Sequence, residues 1–433
     1  MQDMQAKRVT VMGLGRFGGG IGVTRWLASQ GSDVLVTDLE KPEDLAASVA
    51  QIQPLIDSGS VTLRLGGHNV SDFTTRDLII ASPAVPRPWD NRFLRAAQAA
   101  GIPITTEIQL LIERLPNPHR VIAVTGSAGK STTTAMIAHA LEHTGHRAVL
   151  GGNIGGSLLA TLNDLTSDTW VVLELSSFML HWLEATFKQH PQRVPHIAIL
   201  TNISENHVDW HDSMAHYEAC KKSIYQLQNG DDAVVFGPSL ESLASRCRHQ
   251  AVVADPSSFT AALAVPGAHN VENAAVALAA CRLAVPETPL PALVDAIRSF
   301  PGLSHRLQLV AEYRRPGSAQ ATALPIRFYN DSKSTTPESA LRAIDSLAEL
   351  AGMTSRRIHL IAGGYDKHSD LSPVAHTSDR LAGLYTIGAT GPAIATAARK
   401  AAGENAPVHE CGTLTAAFDT AWKRLRPGDA LLL

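Results

Sequence analysis

Short apolar runs alternate with longer segments of mixed polarity along the whole chain, a pattern that predicts β-strands separated by helices. The first run, over 8–12, is followed by a glycine-containing turn, a helical stretch to Gln30 and a second run over 33–37. Further strands are predicted at 77–82, 120–125, 170–175, 196–201, 232–236, 325–329, 357–362, 383–388 and 429–433. This alternation is typical of mostly parallel sheets, so we expect an α/β fold.

Composition and charge exclude several classes of protein. The 433 residues carry a formal charge of −3, which provides no positive field to hold nucleic acid or an anionic membrane. No apolar run approaches the length that crosses a bilayer, and the first residues lack the apolar core of a signal peptide. We therefore expect a cytoplasmic protein. Its four cysteines lack metal-ligand spacing and are expected to be reduced thiols with ordinary packing roles: Cys220, Cys247, Cys281 and Cys411.

One predicted strand leads into a glycine loop over 126–132 that ends in Gly-Lys-Ser and opens a helix. Backbone N–H groups of such a loop point at an anion, Lys130 can reach the outer phosphates, and the hydroxyl of Ser131 or Thr132 can hold Mg²⁺. Val124 stands where the full phosphate-loop pattern has glycine, and an ordinary helix start beside a lysine is the alternative. The preceding strand and the following threonines favour binding of a nucleoside triphosphate.

A second glycine motif, Gly13-Leu-Gly-Arg-Phe-Gly18, follows the first strand, and Asp38 ends the next strand. This spacing is that of a dinucleotide-binding fold. The motif could serve NAD, the phosphates of another nucleotide, or only the close packing of a helix on a sheet. A dinucleotide-dependent oxidoreductase is therefore one alternative function.

Polar side chains follow two of the central strands. They are Glu174, Ser176, Ser177, Glu205, His207, Asp209 and His211. Open α/β sheets bind ligands at the carboxyl ends of their strands, and carboxylate and hydroxyl oxygens suit Mg²⁺. We expect His211 and Asp209, by contrast, to be loop residues in contact with water.

Proline-containing breaks divide the chain into three blocks. One break lies at 115–119, before the glycine loop, and another at 300–302. We expect a Rossmann-like N-terminal domain over 1–118, a central domain with a P-loop ATPase-like, mostly parallel sheet over 119–300, and a Rossmann-like C-terminal domain over 301–433.

Five motifs of the central block resemble, in order and spacing, those of the Mur ligase family. They are Thr125-Gly-Ser-Ala-Gly-Lys-Ser-Thr132, Glu174-Leu-Ser-Ser-Phe178, Thr201-Asn-Ile-Ser-Glu-Asn-His207, Tyr217-Glu-Ala-Cys-Lys221 and His269-Asn-Val-Glu-Asn273. Within the family, Asn330-Asp-Ser-Lys-Ser-Thr335 and the preceding His305-Arg306 resemble the branch that adds D-glutamate. The likeness spans nearly the entire chain.

The resemblance implies an ATP-dependent amide ligase of peptidoglycan precursor synthesis, which joins D-glutamate to UDP-N-acetylmuramoyl-L-alanine through an acyl phosphate. It implies ATP and two Mg²⁺ ions as cofactors, and small-molecule substrates as partners, with neither nucleic acid nor a membrane. We expect a monomer. The alternatives within this interpretation are a sibling ligase that uses L-glutamate or another acceptor, and a catalytically inactive nucleotide-binding protein.

The resemblance also assigns roles to individual residues. The expected catalytic residues are Lys130, Lys221 and His207. The expected ATP-binding residues are Gly126, Ser127, Ala128, Gly129, Lys130, Ser131, Thr132, Asn270, Asn273, Arg306 and Asp331. The expected substrate-binding residues are Gly15, Arg16, Asp38, Ser82, Asn153, Ser176, Lys333, Thr335 and Lys367. The expected metal ligands are Ser131, Glu174, His207 and Lys221.

Lys221 carries the most specific of these expectations. By similarity it reacts with CO₂ to form a carbamylated lysine, an anion able to bind Mg²⁺. Only the neutral amine reacts, so burial would have to lower the pKa of this lysine. From its own segment alone, the default interpretation of Lys221 is a solvated lysine beside Lys222.

The sequence departs from the family pattern at several points. Ala128 stands where the family usually has asparagine, and Glu40 where relatives can present a basic residue near the UDP group. Relatives also continue beyond the final strand with a segment that helps to bind glutamate, whereas this chain stops at Leu433. We therefore expect the C-terminal domain to be truncated.

Overall fold

The computed structural model describes residues 4–16, 18–247, 250–260, 262–315, 324–334, 336–350, 352–365 and 370–433. They form an α/β fold with three sheets, which confirms the predicted class. The chain divides into two units. The first comprises Met1–Thr260 and Glu272–Ile297, and the second comprises Ala261–Val271 and Arg298–Leu433.

The first sheet lies in the first unit, and its described strands are all parallel in the order β3-β2-β1-β4-β5. The strands are β1 (Arg8–Met12), β2 (Asp33–Asp38), β3 (Val61–Leu65), β4 (Leu78–Ala81) and β5 (Ile104–Thr105). The helices of this region are α1 (Gly19–Ser29), α2 (Ala46–Asp57), α3 (Ser71–Thr74), α4 (Arg92–Ala99) and α5 (Glu107–Arg114). The order reverses beside β1, which is the position where α/β sheets bind ligands.

The second sheet is also parallel throughout its described strands, in the order β11-β10-β9-β6-β8-β7. Its strands are β6 (Val121–Thr125), β7 (Ala148–Gly152), β8 (Trp170–Glu174), β9 (Ile197–Leu200), β10 (Ala233–Phe236) and β11 (Gln250–Val253). The helices are α6 (Lys130–His143), α7 (Ser177–Gln189), α8 (Val208–His211), α9 (Met214–Gln226), α10 (Glu241–Ala244), α11 (Ala268–Ala284) and α12 (Leu290–Arg298). Strand β6 is buried along its whole length between β8 and β9, so its carboxyl end is held firmly.

The third sheet, in the second unit, has the order β12-β13-β17-β14-β15-β16. Its described strands are β12 (Gln308–Tyr313), β13 (Ile326–Asn330), β14 (Ile358–Gly364), β15 (Gly383–Gly388), β16 (Val408–Gly412) and β17 (Ala430–Leu432). The helices are α13 (Pro337–Ala348), α14 (Ser372–Ala375), α15 (Gly391–Ala402) and α16 (Leu414–Trp422). Because β12 pairs antiparallel with β13, the sheet is mixed, and β17 lies between β13 and β14.

The hydrophobic cores follow these sheets. One apolar cluster in the first unit includes Val11 and Leu27 as well as Val171 and Leu183, so the first two sheets share a core. Separate clusters pack against the third sheet within the second unit. In the part of the chain that the structure describes, no helix has both the length and the apolar character needed to cross a membrane.

Candidate active site

Two glycines set the shape of the loop between β6 and α6. Gly126 has φ 153°, and a Cβ at this position would lie 1.9 Å from Thr201 Oγ1. Gly129 has φ 80°, and a Cβ there would lie 2.4 Å from Asn273 Oδ1. Because L-residues with side chains rarely adopt these φ values, neither position accepts another residue without strain.

The end of β9 supports this loop through hydrogen bonds. Thr201 Oγ1 donates to the carbonyl of Ala128 at 2.6 Å. The Asn202 amide donates to the same carbonyl at 3.1 Å and accepts from the Ala128 N–H at 2.9 Å. Ser127 Oγ lies 2.8 Å from the Tyr217 hydroxyl. The alanine at 128 is therefore fixed through its backbone.

Lys130 begins α6 and places its ammonium group at the loop. Nζ donates to the carbonyls of Gly126 at 3.0 Å and Ser127 at 3.2 Å. Ser131 and Thr132 lie partly buried in the first helical turn. A helix N-terminus offers free N–H donors and a positive dipole, so the loop and this turn together form an anion-binding cradle.

Glu174 ends β8 directly beside β6, and its side chain is 1% exposed. Oε1 accepts a hydrogen bond from Asn153 Nδ2 at 2.8 Å. Oε2 is buried without a hydrogen-bond partner among the described residues. A buried carboxylate oxygen with no donor is costly unless a cation compensates it, and oxygen is the ligand that Mg²⁺ prefers. The donor set therefore fits a Mg²⁺ ion at this position.

Lys221 extends from α9 to the same loop and is 1% exposed. Nζ donates to the Gly126 carbonyl at 2.7 Å and to Thr125 Oγ1 at 3.4 Å. The pKa of Lys221 is lowered to about 7, mainly by burial and also by repulsion from Lys130, while Glu174 opposes the shift. The interpretation as a solvated lysine is wrong, because the amine is enclosed, and with its lowered pKa about half of it is neutral near pH 7.

His207 precedes α8 in a left-handed conformation with φ 53°. Its side chain is exposed, and its ring packs edge-on to Phe178 with the centroids 4.9 Å apart. Partial desolvation and the positive charge of Lys130 lower the pKa of His207. The imidazole is therefore neutral at pH 7 and can offer a nitrogen lone pair to a cation.

The expectation that His211 contacts water is wrong. The residue is 1% exposed, and Nε2 lies 2.9 Å from Ser177 Oγ. Its ring lies among those of Phe178, Trp210 and His216. Asp209, by contrast, is exposed as expected.

Two of the predicted substrate-binding residues have structural contacts of their own. Asn153 is exposed, its side chain orients Glu174, and its N–H donates to the Glu174 carbonyl at 2.9 Å. Ser176 Oγ caps α7 by accepting from the Met179 N–H at 3.2 Å. Asn153 thus lies just after the end of β7, and Ser176 lies just before the start of α7.

In the first sheet, Asp38 closes the N-terminal glycine turn. Its Oδ2 accepts from the N–H groups of Leu14 at 2.9 Å and Gly15 at 3.1 Å. Arg16 pairs with Glu40 at 2.8 Å. The N–H groups of Leu14 and Gly15 therefore already bind a carboxylate, and they are not offered to the pyrophosphate of a dinucleotide as an oxidoreductase would require.

Ser82, at the end of β4, belongs to the same edge of the first sheet. A Cβ at Gly13 would lie 3.0 Å from Ser82 Cβ, and Ser82 Oγ accepts from the Ala84 N–H at 3.3 Å. The structure thus brings Ser82 to the glycine turn that Asp38 closes.

The second unit contains a separate group of predicted residues around Asp331. Asp331 Oδ1 accepts from the Leu307 N–H at 2.7 Å, and Oδ2 accepts from Ser334 Oγ. Burial raises the pKa of Asp331, although these hydrogen bonds oppose the shift. Asp331 and Ser334 line a cavity of about 350 Å³ at the ends of β14 and β17.

Of the remaining predicted residues, two are exposed, one is buried and two lie outside the described residues. Arg306 and Lys333 are exposed, and Asn270 is buried with its amide donating to the Pro266 carbonyl at 2.6 Å. Thr335 and Lys367 lie outside the described residues.

Three family profiles match consecutive parts of the chain. The Mur ligase MurD-like N-terminal domain matches residues 7–106. The Mur ligase middle domain matches residues 124–252, and the Mur ligase, glutamate ligase domain, matches residues 305–433.

Full-length relatives agree with these profiles. A protein of Acidobacterium capsulatum named UDP-N-acetylmuramoylalanine--D-glutamate ligase is 33% identical over all of this chain and 92% of its own length. A Symbiobacterium thermophilum protein of the same name is 32% identical over 99% of this chain and 92% of its own length.

Solved structures share the fold at lower identity. UDP-N-acetylmuramate-alanine ligase MurC of Thermotoga maritima matches with a TM-score of 0.57 and 18% identity, over 98% of this chain and 95% of that one. MurF ligase of the same organism, solved in complex with ADP, matches with a TM-score of 0.55 and 14% identity, over 100% and 94%.

Proposed function

The chain belongs to the Mur ligase family, and we propose that it is an ATP-dependent ligase that adds D-glutamate to UDP-N-acetylmuramoyl-L-alanine in peptidoglycan precursor synthesis. The observation that carries the proposal is the buried Lys221, whose amine lies 2.7 Å from the carbonyl of Gly126 in the phosphate loop. An oxidoreductase or a simple nucleotide-binding protein has no use for a buried lysine with a strongly lowered pKa at this position.

The reaction must overcome the low reactivity of a carboxylate. We propose that the carboxylate of the muramoyl alanine attacks the γ-phosphorus of ATP, which forms an acyl phosphate and releases ADP. The glutamate amine then attacks the acyl carbon, loses a proton, and expels inorganic phosphate from the tetrahedral intermediate. Lys130 and the N–H groups of the loop stabilise the negative charge that develops on the transferring phosphoryl group.

The residues around the loop would hold Mg²⁺ in two positions. Ser131 Oγ and Glu174 Oε2 suit one ion, and His207 together with a carbamylated Lys221 suits a second. Bound Mg²⁺ would neutralise phosphate charge and orient the phosphoryl group.

The surroundings of Lys221 support its proposed carbamylation. The neutral Nζ attacks CO₂, a nitrogen–carbon bond forms, and one proton leaves to solvent. The product is an anion where a buried cation would have been repelled by Lys130. Glu174 faces the same loop, so the carboxylate and the carbamate would each hold one of the two cations.

We also propose substrate-binding and ATP-binding roles for the other predicted residues. In the first sheet, Gly15, Arg16, Asp38 and Ser82 would bind the UDP end of the substrate, with Asn153 and Ser176 near the muramoyl group. In the second unit, Asn270, Arg306 and Asp331 would bind ATP, whereas Lys333, Thr335 and Lys367 would lie near the phosphate or the incoming glutamate, since a cation suits a dicarboxylate. Asn273, in the first unit, would bind ATP beside the glycine loop. We retain domain boundaries at 118/119 and 300/301.

An isotope experiment tests this proposal. UDP-N-acetylmuramoyl-L-alanine, labelled with heavy oxygen in its carboxylate, is incubated with the protein, ATP, Mg²⁺ and D-glutamate. We expect the glutamylated product and one labelled oxygen in each released phosphate. Product without label in the phosphate would contradict the acyl phosphate, and the absence of product would contradict the ligase assignment.

A further inference from the structure

A cluster of two histidines and a cysteine lies between α7 and α9, apart from the groups that the proposed ligation uses. His181 projects from α7, and His216 and Cys220 lie one turn apart on α9. Their potential ligand atoms all lie within 4.8 Å of one another. His181 and His216 are partly buried, and Cys220 is buried.

Two of the three separations are close to those of a tetrahedral metal centre, and the third is within 4.8 Å. His181 Nδ1 lies 3.2 Å from His216 Nε2, and Cys220 Sγ lies 3.4 Å from the same nitrogen. With Zn–N bonds of about 2.0–2.1 Å and Zn–S bonds of about 2.3 Å, two nitrogen ligands lie about 3.3 Å apart and a nitrogen and a sulfur about 3.6 Å apart. A small shift of the side chains would therefore complete three ligand positions.

The tautomer of His216 is also the one that a ligand needs. His216 Nδ1 lies 3.0 Å from the carbonyl oxygen of His211, and because a carbonyl can only accept, Nδ1 must donate. The lone pair therefore resides on Nε2, which faces His181 and Cys220. A ring N–H bonded to a backbone carbonyl is the usual arrangement behind a metal-bound histidine.

We propose that His181, His216 and Cys220 form a binding site for Zn²⁺. Imidazole nitrogen and thiolate sulfur are its preferred ligands, whereas Mg²⁺ prefers oxygen, so this site is chemically distinct from the one at the phosphate loop. Coordination releases the thiol proton of Cys220 to solvent, and water would complete the fourth position. The ion would join α7 to α9, and its ligand Cys220 directly precedes Lys221 in the sequence.

The alternative is a hydrogen-bonded triad that binds no metal, in which His181 Nδ1 or the Cys220 thiol donates to His216 Nε2. Cobalt(II) distinguishes the two, because it replaces zinc and gives a thiolate-to-metal charge-transfer band when a cysteine coordinates it. The proposed Mg²⁺ ligands contain no sulfur, so cobalt bound there gives no such band. A second group, His119, His196 and Asp232, likewise lacks sulfur.

The experiment titrates the full-length, metal-free protein with Co²⁺ and then with Zn²⁺ in the presence of excess Mg²⁺. We expect one equivalent of Co²⁺ to give the charge-transfer band and one equivalent of Zn²⁺ to abolish it. Cys220→Ser should remove the band, and Cys247→Ser, a matched change in the same unit, should retain it. Failure of the wild-type protein to give the band, or its persistence in Cys220→Ser, would overturn the proposal.

A second variant guards against a folding defect, since Cys220 is buried. His181→Asn changes a partly buried residue, and its thermal unfolding without metal shows whether the fold is retained. Zn²⁺ affinity, measured by competition with a chelator, should fall more than about tenfold, because even the loss of an outer-shell partner costs about 10–100-fold. Unchanged affinity in a folded His181→Asn protein would contradict the site.

Discussion

At the scale of single residues, Lys221 and its neighbour Lys222 show how environment decides chemistry. Lys221 is enclosed against the Tyr217 ring, 4.7 Å from its centroid, and its pKa is lowered to about 7. Lys222 forms a surface ion pair with Glu218 at 2.8 Å. Carbamylation needs an uncharged amine and an enclosed product, so of these two lysines only Lys221 is suited to it.

Replacement of Lys221 tests this role. Lys221→Ala should lower kcat by about 10²–10³-fold, the usual cost of losing a group that stabilises developing charge. Short carboxylic acids such as acetate should restore part of the activity by replacing the carbamate. Lys222→Ala is the matched control and should keep wild-type activity. Full activity of Lys221→Ala in a phosphate-release assay would refute the assignment.

The lowered pKa also predicts how activity depends on pH. Lys221 is protonated below its folded pKa of about 7, and the protonated amine does not react with CO₂. Activity should therefore be present above about pH 7 and decline as pH falls through that value. Added bicarbonate should move the midpoint to lower pH in the wild-type protein. If the pH midpoint of activity did not change when bicarbonate was added, this result would argue against the carbamate.

Glu174 offers a test of the metal assignment. Glu174→Gln removes the charge from the buried oxygen that lacks a partner, so the Mg²⁺ concentration that gives half-maximal activity should rise at least about tenfold. Glu205→Gln, at an exposed position, is the control. An unchanged Mg²⁺ requirement would exclude Glu174 as a ligand.

Sequence motifs predicted the residues whose chemistry is local, such as the glycine loop, Glu174 and Lys221. They failed for His211, which lies two residues after the exposed Asp209 yet is buried. Its burial depends on the rings of Phe178 and His216, which come from α7 and α9. The Cys220 cluster was missed for the same reason, because its third member, His181, is supplied by another helix.

At the scale of elements, the strands that the apolar pattern predicted are the interior ones. The described strands that it missed are β3, β5, β7, β11, β12 and β16, and these are the edges of the three sheets. Interior strands such as β6 and β9 are buried along their length, whereas β12 is exposed at most positions. Continuous apolar runs mark strands covered on both faces, whereas edge strands such as β3, β12 and β16 carry polar residues that interrupt such runs.

The phosphate loop can be tested at this scale with two glycines that share a backbone conformation. Gly129 and Gly145 have φ values of 80° and 86°, but only a Cβ at Gly129 meets another atom, Asn273 Oδ1. Both alanine variants should lose about 1–2 kcal/mol of stability from the left-handed conformation. Gly129→Ala alone should also lose ATP binding, measured by calorimetry. Equal ATP affinity in the two variants would contradict the proposed cradle.

At the scale of the whole molecule, the described strands form three sheets. The first two share one hydrophobic core, and the third has its own. The sequence anticipated the three sheets, because glycine turns and proline breaks are local signals. It did not anticipate that β17 would be an interior strand between β13 and β14, since that position depends on a long-range pairing.

The most direct test of the account is phosphate release from ATP by the full chain with Mg²⁺ and UDP-N-acetylmuramoyl-L-alanine. Three parallel reactions contain D-glutamate, L-glutamate or no amino acid. The account predicts release that depends on D-glutamate, with little in the other two reactions. Release that depends on L-glutamate, or no release in any reaction, would contradict it.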